Sequence, residues 1–218
     1  MRAKIFVILI SLGMIIAGCI STESASPAPQ EVWDSMKASL DSIKAYKYNA
    51  TGEVHRPDGR IEYGRAHGYV NFNNRTATQV VQTNSSEAPS LIRTVYIGEE
   101  EYITILTPGG ENKSIKYENI GEWWLNKRER ILGIKENDSI ELGGMSPVKI
   151  DGREAWMLNL TIIRIIKEQN LTVITKRTEW ILKDSYLPVK RKEKTLYRGS
   201  IINGTVVKST TVFYDYDV

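Results

Sequence analysis

From Tyr46 to Tyr216 apolar and polar residues alternate with a period of two, in runs separated by turn signals, and no other feature of the chain limits its fold as much. Alternation sends successive side chains to opposite faces of a strand, so each run has one face to bury. Ten runs can be read, over 46–56, 60–72, 75–83, 91–97, 102–106, 146–150, 154–164, 171–182, 187–197 and 205–216. The links between them carry turn chemistry: Pro57, Asp58 and Gly59 in one, Asp151 and Gly152 in another, Asn203 and Gly204 in a third. Such residues accept the backbone conformations of tight turns, which join strands antiparallel.

Two segments break the period. Between Glu31 and Ala45, Trp33, Met36, Leu40 and Ile43 recur every three or four residues, with Asp34, Lys37, Asp41 and Lys44 opposite them. This is a helix with one apolar stripe, too short to persist without a surface to cover. Between Ile115 and Ile134, Trp123, Trp124, Leu125, Ile131 and Leu132 sit among charged residues, which reads as a short amphipathic helix ending at Gly133. Neighbouring side chains on a helix diverge, so only one of the two tryptophans is expected to be fully buried. Strands and helices segregated in this way make the fold class α+β.

The N-terminus has a different logic. Arg2 and Lys4 precede an apolar run from Ile5 to Ile16, and Ala17, Gly18 and Cys19 follow. The run is shorter than the ~20 residues needed to span a bilayer, which favours a signal peptide over 1–18. The segment 16–19, Ile-Ala-Gly-Cys, resembles the lipobox of bacterial and archaeal lipoproteins, in which the cysteine becomes the lipidated first residue. Cys19 is the single cysteine of the chain, so an internal disulfide is excluded. Residues 19–30, rich in Ser, Ala and Pro, read as a lipidated tether, and 31–218 as one domain.

Eight of twelve asparagines open an Asn-x-Ser/Thr sequon: Asn49, Asn74, Asn84, Asn112, Asn137, Asn159, Asn170 and Asn203. Random placement of the hydroxyl residues gives about two, so the excess reads as N-glycosylation of an exported domain. Sequons together with a lipobox point to an archaeal source. The chain has 29 Lys and Arg against 26 Asp and Glu, a balance that carries no footprint for nucleic acid.

The order of elements, a helix, a long meander and a short interrupting helix, resembles the lipoprotein-carrier group (the LolA, LppX and RseB-like proteins). Val148–Leu160, VKIDGREAWMLNL, and Trp180–Lys190, WILKDSYLPVK, carry the resemblance. It implies a strongly curved half-barrel of about ten strands, its concave face covered by helices and able to hold acyl chains. Trp123, Trp124, Trp156 and Trp180 are then the candidate ligand-binding residues. The function so implied is a membrane-anchored extracytoplasmic lipoprotein that binds a lipid or other hydrophobic ligand. The alternative is an envelope sensor or structural protein that binds another protein with the same fold.

Catalysis, metals and cofactors are not expected. His55 and His67 have no metal-ligand spacing, and HExxH, GxSxG, P-loop and GxGxxG sequences are absent. Glu99, Glu100, Glu101, Asp215 and Asp217 read as solvated charges. Lys190, Lys192 and Lys194 share one face of a strand. They read as an edge strand guarded by lysines, with contact to anionic lipid headgroups as the functional alternative.

Overall fold

The computed structural model describes residues 26–84, 91–107, 112–199 and 202–218. The signal peptide, Cys19 and most of the tether lie outside these residues. Among the described residues no helix is long and apolar enough to cross a membrane.

Helix α1 spans Pro29–Ser42 and takes the last two residues assigned above to the tether. Proline suits a first helical turn because its missing N–H would have no partner there. The Glu31 carboxylate accepts from the Ala28 N–H at 2.9 Å, tying the end down. Val32, Trp33, Met36 and Leu40 form the buried stripe.

Eleven strands follow: β1 (Ala45–His55), β2 (Ile61–Asn71), β3 (Thr76–Thr83), β4 (Leu91–Ile97), β5 (Glu100–Leu106), β6 (Asn112–Glu118), β7 (Ser139–Ile150), β8 (Arg153–Ile166), β9 (Leu171–Leu182), β10 (Pro188–Arg198) and β11 (Val206–Asp217). Between β6 and β7 come α2 (Glu122–Leu125) and α3 (Lys127–Leu132). The strands form one curved, open, antiparallel sheet in the order β6-β5-β4-β3-β2-β1-β11-β10-β9-β8-β7. The first and last strands pair at its centre, Ala45 opposite Asp217 and His55 opposite Val206.

The turn signals act as their chemistry requires. Asp151 and Gly152 are both left-handed, at φ 49° and 79°, the conformation that closes a two-residue hairpin. Gly133, at φ 65°, ends α3. The eleventh strand is β6, in which Ile115 and Tyr117 alternate with Ser114, Lys116 and Glu118 at a sheet edge. Strand β7 starts seven residues before the expected Ser146, because Gly143 and Gly144 sit in a bulge between Leu142 and Met145 that hides the alternation.

The edge reading of β10 is wrong. This strand pairs with β9 on one side and β11 on the other. Its lysines do share one face, and Lys194 lies directly opposite both Lys176 and Lys208. Lys208 is paired with Glu53 at 2.7 Å, which leaves like charges facing each other at the other two positions. Lys194→Glu should therefore stabilise the fold by up to about 1 kcal/mol. A thermal melt should rise by about 2–4 °C at low salt and by less at high salt.

One face of the sheet carries the helices. Val32, Trp33, Met36 and Leu40 of α1 and Ile131 and Leu132 of α3 form one buried cluster with Trp156, Leu158, Leu160 and Ile162 of β8. Tyr46, Val70, Phe72 and Phe213 extend it to the central strands. Trp124 belongs to this cluster and Trp123 is half-buried beside it, so only one of the adjacent pair is fully covered.

Candidate functional site

On the helix-bearing face, β9 and β10 form a polar seam. Glu179 lies opposite Arg191, and Arg177 opposite Glu193, so charges alternate both along and across the strands. Arg191 donates from Nε and Nη2 to the Glu179 carboxylate at 2.9 and 3.2 Å. Arg177 reaches Glu193 at 2.6 Å from Nη2 and 2.8 Å from Nε. Glu179 is 0% exposed, Arg177 5% and Arg191 6%. Burial presses the Arg177 guanidinium below the ordinary arginine range, and the neighbouring Arg191 charge adds to this. The row ends in a hydrogen bond between the Thr175 and Thr195 hydroxyls.

Beyond the seam, β11, β1, β2 and β3 bear a trough. Its outer part is floored by small residues on neighbouring strands: Ala50 opposite Ala66 and Gly52 opposite Gly64. Val54, Val81 and Val207 complete an apolar hollow of about 220 Å³, to which no described helix contributes a residue. Small side chains leave the backbone close to the surface, which is how a pleated face acquires a depression.

The inner part continues one position along the same strands. Tyr48, Gln79 and Thr211 lead into a cavity of about 300 Å³ walled by Tyr46, Tyr96, Trp123 and Phe213. Tyr48 marks the step between the two parts. Its ring lies over Gly68, where an added Cβ would sit 2.5 Å from Cε1. Burial pushes the Tyr48 phenol up to about 12, and lifts those of Tyr46 and Tyr96 further. These walls are neutral at any physiological pH. Two arginines reach the inner cavity. Arg191 comes from the seam, and Arg130 lies with its guanidinium 4.7 Å from the Trp123 ring centre while its Nε donates to the Trp123 carbonyl at 3.2 Å. An apolar floor leading to neutral aromatic walls and a cationic end can hold a molecule with a hydrocarbon part and a polar head.

The four candidate tryptophans do not converge on this trough. Trp123 lines its inner cavity, stacked on Tyr96 at 4.5 Å between ring centres. Trp124 donates from its indole N–H to the Gly98 carbonyl and meets Trp123 edge-on. Trp156 is packed in the buried cluster. Trp180 lies on the opposite face of the sheet, with the Lys190 and Lys192 ammonium groups 5.4 and 6.0 Å from its ring centre. The residues that shape the hollow are instead alanines and glycines. Their signal was small residues at every second place in two strands joined by a hairpin, Ala50 and Gly52, then Gly64, Ala66 and Gly68.

No family model matches the chain, and no curated protein matches it. Among solved structures, a LolA superfamily protein from Nitrosomonas europaea aligns over 88% of this chain and 94% of its own, at 12% identity and a TM-score of 0.31. A DUF1329 family protein from Desulfovibrio piger aligns over 88% and 95%, at 13% identity and a TM-score of 0.32. Superpositions this loose carry no functional argument.

The joint between helices and sheet is electrostatic as well as apolar. Arg164 donates to both Asp138 oxygens, at 2.7 and 2.6 Å, and to the carbonyl of Gly133 at 3.1 Å. Burial by itself would raise the Asp138 pKa, but Arg164 and the Lys135 N–H, at 2.8 Å, outweigh it and hold the carboxyl below its usual range. A pKa depressed by folding stabilises the fold above the unfolded value, near 4, and the contribution is lost as pH falls through the folded value. Asp138→Asn should then cost about 1.5–3 kcal/mol in urea titrations at pH 7. The gap to the wild type should close below about pH 4.

Seven of the eight sequon asparagines have described side chains: Asn49, Asn74, Asn84, Asn137, Asn159, Asn170 and Asn203 are all exposed. Asn112 opens β6, and its side chain lies outside the described set.

Proposed function

We propose that this protein is a lipid-anchored, extracytoplasmic binding module, without catalytic activity, that holds a hydrophobic or amphiphilic ligand along the trough of β11, β1, β2 and β3. One observation carries the reading. A row of Ala50, Gly52, Gly64 and Ala66 with flanking valines leaves an apolar hollow uncovered, and the next positions along the same strands line an aromatic-walled cavity. A sheet that needed only to pack would fill such a face with larger side chains. The sequence supports the location: a lipobox-like 16–19 segment would place Cys19, lipidated, a short tether away from α1. The resemblance to the lipoprotein-carrier group points to the same class of ligand.

The test is binding of a fluorescent fatty acid to the full chain in detergent micelles. Ala66→Trp plants a large ring on the floor and should weaken binding at least tenfold, about 1.4 kcal/mol. Lys194→Glu, on the opposite face, should leave it unchanged. Equal affinity in wild type and Ala66→Trp would place the ligand elsewhere or exclude it.

A further inference from the structure

The sequons are not spread evenly over the fold. Antiparallel strands divide their connections between two rims of the sheet. Six connections lie at the rim where β1 ends: β1 to β2, β3 to β4, β5 to β6, α3 to β7, β8 to β9 and β10 to β11. Five of these six carry a sequon asparagine. Asn84 directly follows β3, Asn112 opens β6, Asn137 precedes β7, Asn170 precedes β9, and Asn203 lies between β10 and β11. The opposite rim also has six connections, α1 to β1, β2 to β3, β4 to β5, β6 to α2, β7 to β8 and β9 to β10, and Asn74 is its one sequon. Asn49 and Asn159 lie within strands, on the face away from the helices.

Side-chain geometry distinguishes four of the sequon asparagines from two that are not in sequons. In Asn84 and Asn203 the side-chain oxygen accepts a backbone N–H, from Tyr63 at 2.7 Å and Gly199 at 3.0 Å. Asn159 accepts from Thr178 Oγ1 at 2.7 Å and Asn49 from Tyr214 Oη at 3.4 Å. In all four Nδ2, the atom that bears an N-linked glycan, has no hydrogen-bond partner among the described residues. By contrast, Nδ2 donates in Asn71, to Tyr69 Oη at 3.0 Å, and in Asn126, to Glu129 Oε2 at 2.9 Å; neither residue is in a sequon.

We infer that the rim at which β1 ends is a glycan-bearing rim, modified at Asn84, Asn112, Asn137, Asn170 and Asn203, and that the opposite rim is nearly bare. At each site Nδ2 forms a bond to the anomeric carbon of a lipid-phosphate-linked sugar donor, supplied with its transferase by the host membrane. The bond from that carbon to the donor's phosphate oxygen breaks, its electron pair leaves with the phosphate, and the amide gives up one proton. Glycans are bulky and hydrated. Five along one rim keep that rim from packing closely against another surface. The modification pattern does not depend on whether the trough holds a ligand.

The experiment is glycopeptide mass spectrometry on the full chain purified from its native envelope, with occupancy measured at each sequon. Glycan is expected on all five rim asparagines, and replacing those five with Gln should remove most of the glycan mass. Circular dichroism of that variant checks that it has folded. A rim found bare, or glycan confined to Asn49, Asn74 and Asn159, overturns the inference.

Discussion

Glu179→Leu should destabilise the fold by about 3–5 kcal/mol, a large share of the 5–15 kcal/mol that holds a typical domain together. The cost comes from what remains behind. Arg191 is buried, and without Glu179 its charge would have neither a counter-ion nor access to water. Arg177, already at an unfavourable distance from a second guanidinium, would lose a compensating carboxylate as well. The double replacement Glu179→Leu with Arg191→Met removes both buried charges and should recover stability to within about 1 kcal/mol of wild type, or exceed it. Urea titration of the four proteins of this cycle checks both statements. A single variant that loses under about 1 kcal/mol would mean that water already reaches the seam.

Leu40→Ala should cost about 2–5 kcal/mol. Leu40 is wholly buried in the cluster that α1 shares with β8, and a helix of this length has little stability of its own. The loss should appear first in α1, as faster amide exchange there while the sheet stays protected. Polar ties would persist, and Lys127 Nζ, which donates to the Ile43 carbonyl at 2.9 Å, is one of them. Ser39 Oγ donates to the Tyr186 carbonyl at 2.9 Å, and Arg128 to Asp41 at 2.8 Å from Nε. The Arg128–Asp41 pair is exposed and the Ser39 bond only half-buried, so such ties slow the detachment of α1 more than they prevent it. Uniform loss of protection across α1 and β8 would show instead that helix and sheet unfold as one unit.

Alternation made the antiparallel meander legible because its turn residues, Asp58 and Gly59, Asp151 and Gly152, Asn203 and Gly204, fall where the period restarts. The helix stripe of Trp33, Met36 and Leu40 was equally plain. Strand β6 was missed because Lys113, Lys116 and Glu118 put charge on both of its faces, and it lies at an edge where neither face needs to be apolar throughout. The position of β10 could not be read, since lysines on the exposed face of a central strand look the same as lysines guarding an edge. The seam stayed hidden for a related reason. In β9 both faces carry mixed residues, Ile181, Glu179 and Arg177 on one and Trp180, Thr178 and Lys176 on the other, so burial of the first set depends on partners far along the chain. Tryptophans drew attention as ligand contacts through the resemblance and through their number. The hollow is defined by residues too small to be noticed.

The central claim is that a hydrophobic ligand occupies the trough. It is tested most directly by photolabelling the full chain with a diazirine fatty acid and assigning the labelled residues by mass spectrometry. Labels are predicted on Ala50, Ala66, Val81 and Val207, with a second group at Tyr48 and Tyr96 in the inner cavity. Excess unlabelled fatty acid should abolish them. Labels on Lys192, Lys194 or Thr210 of the opposite face, or labelling that competitor leaves unchanged, would contradict the account.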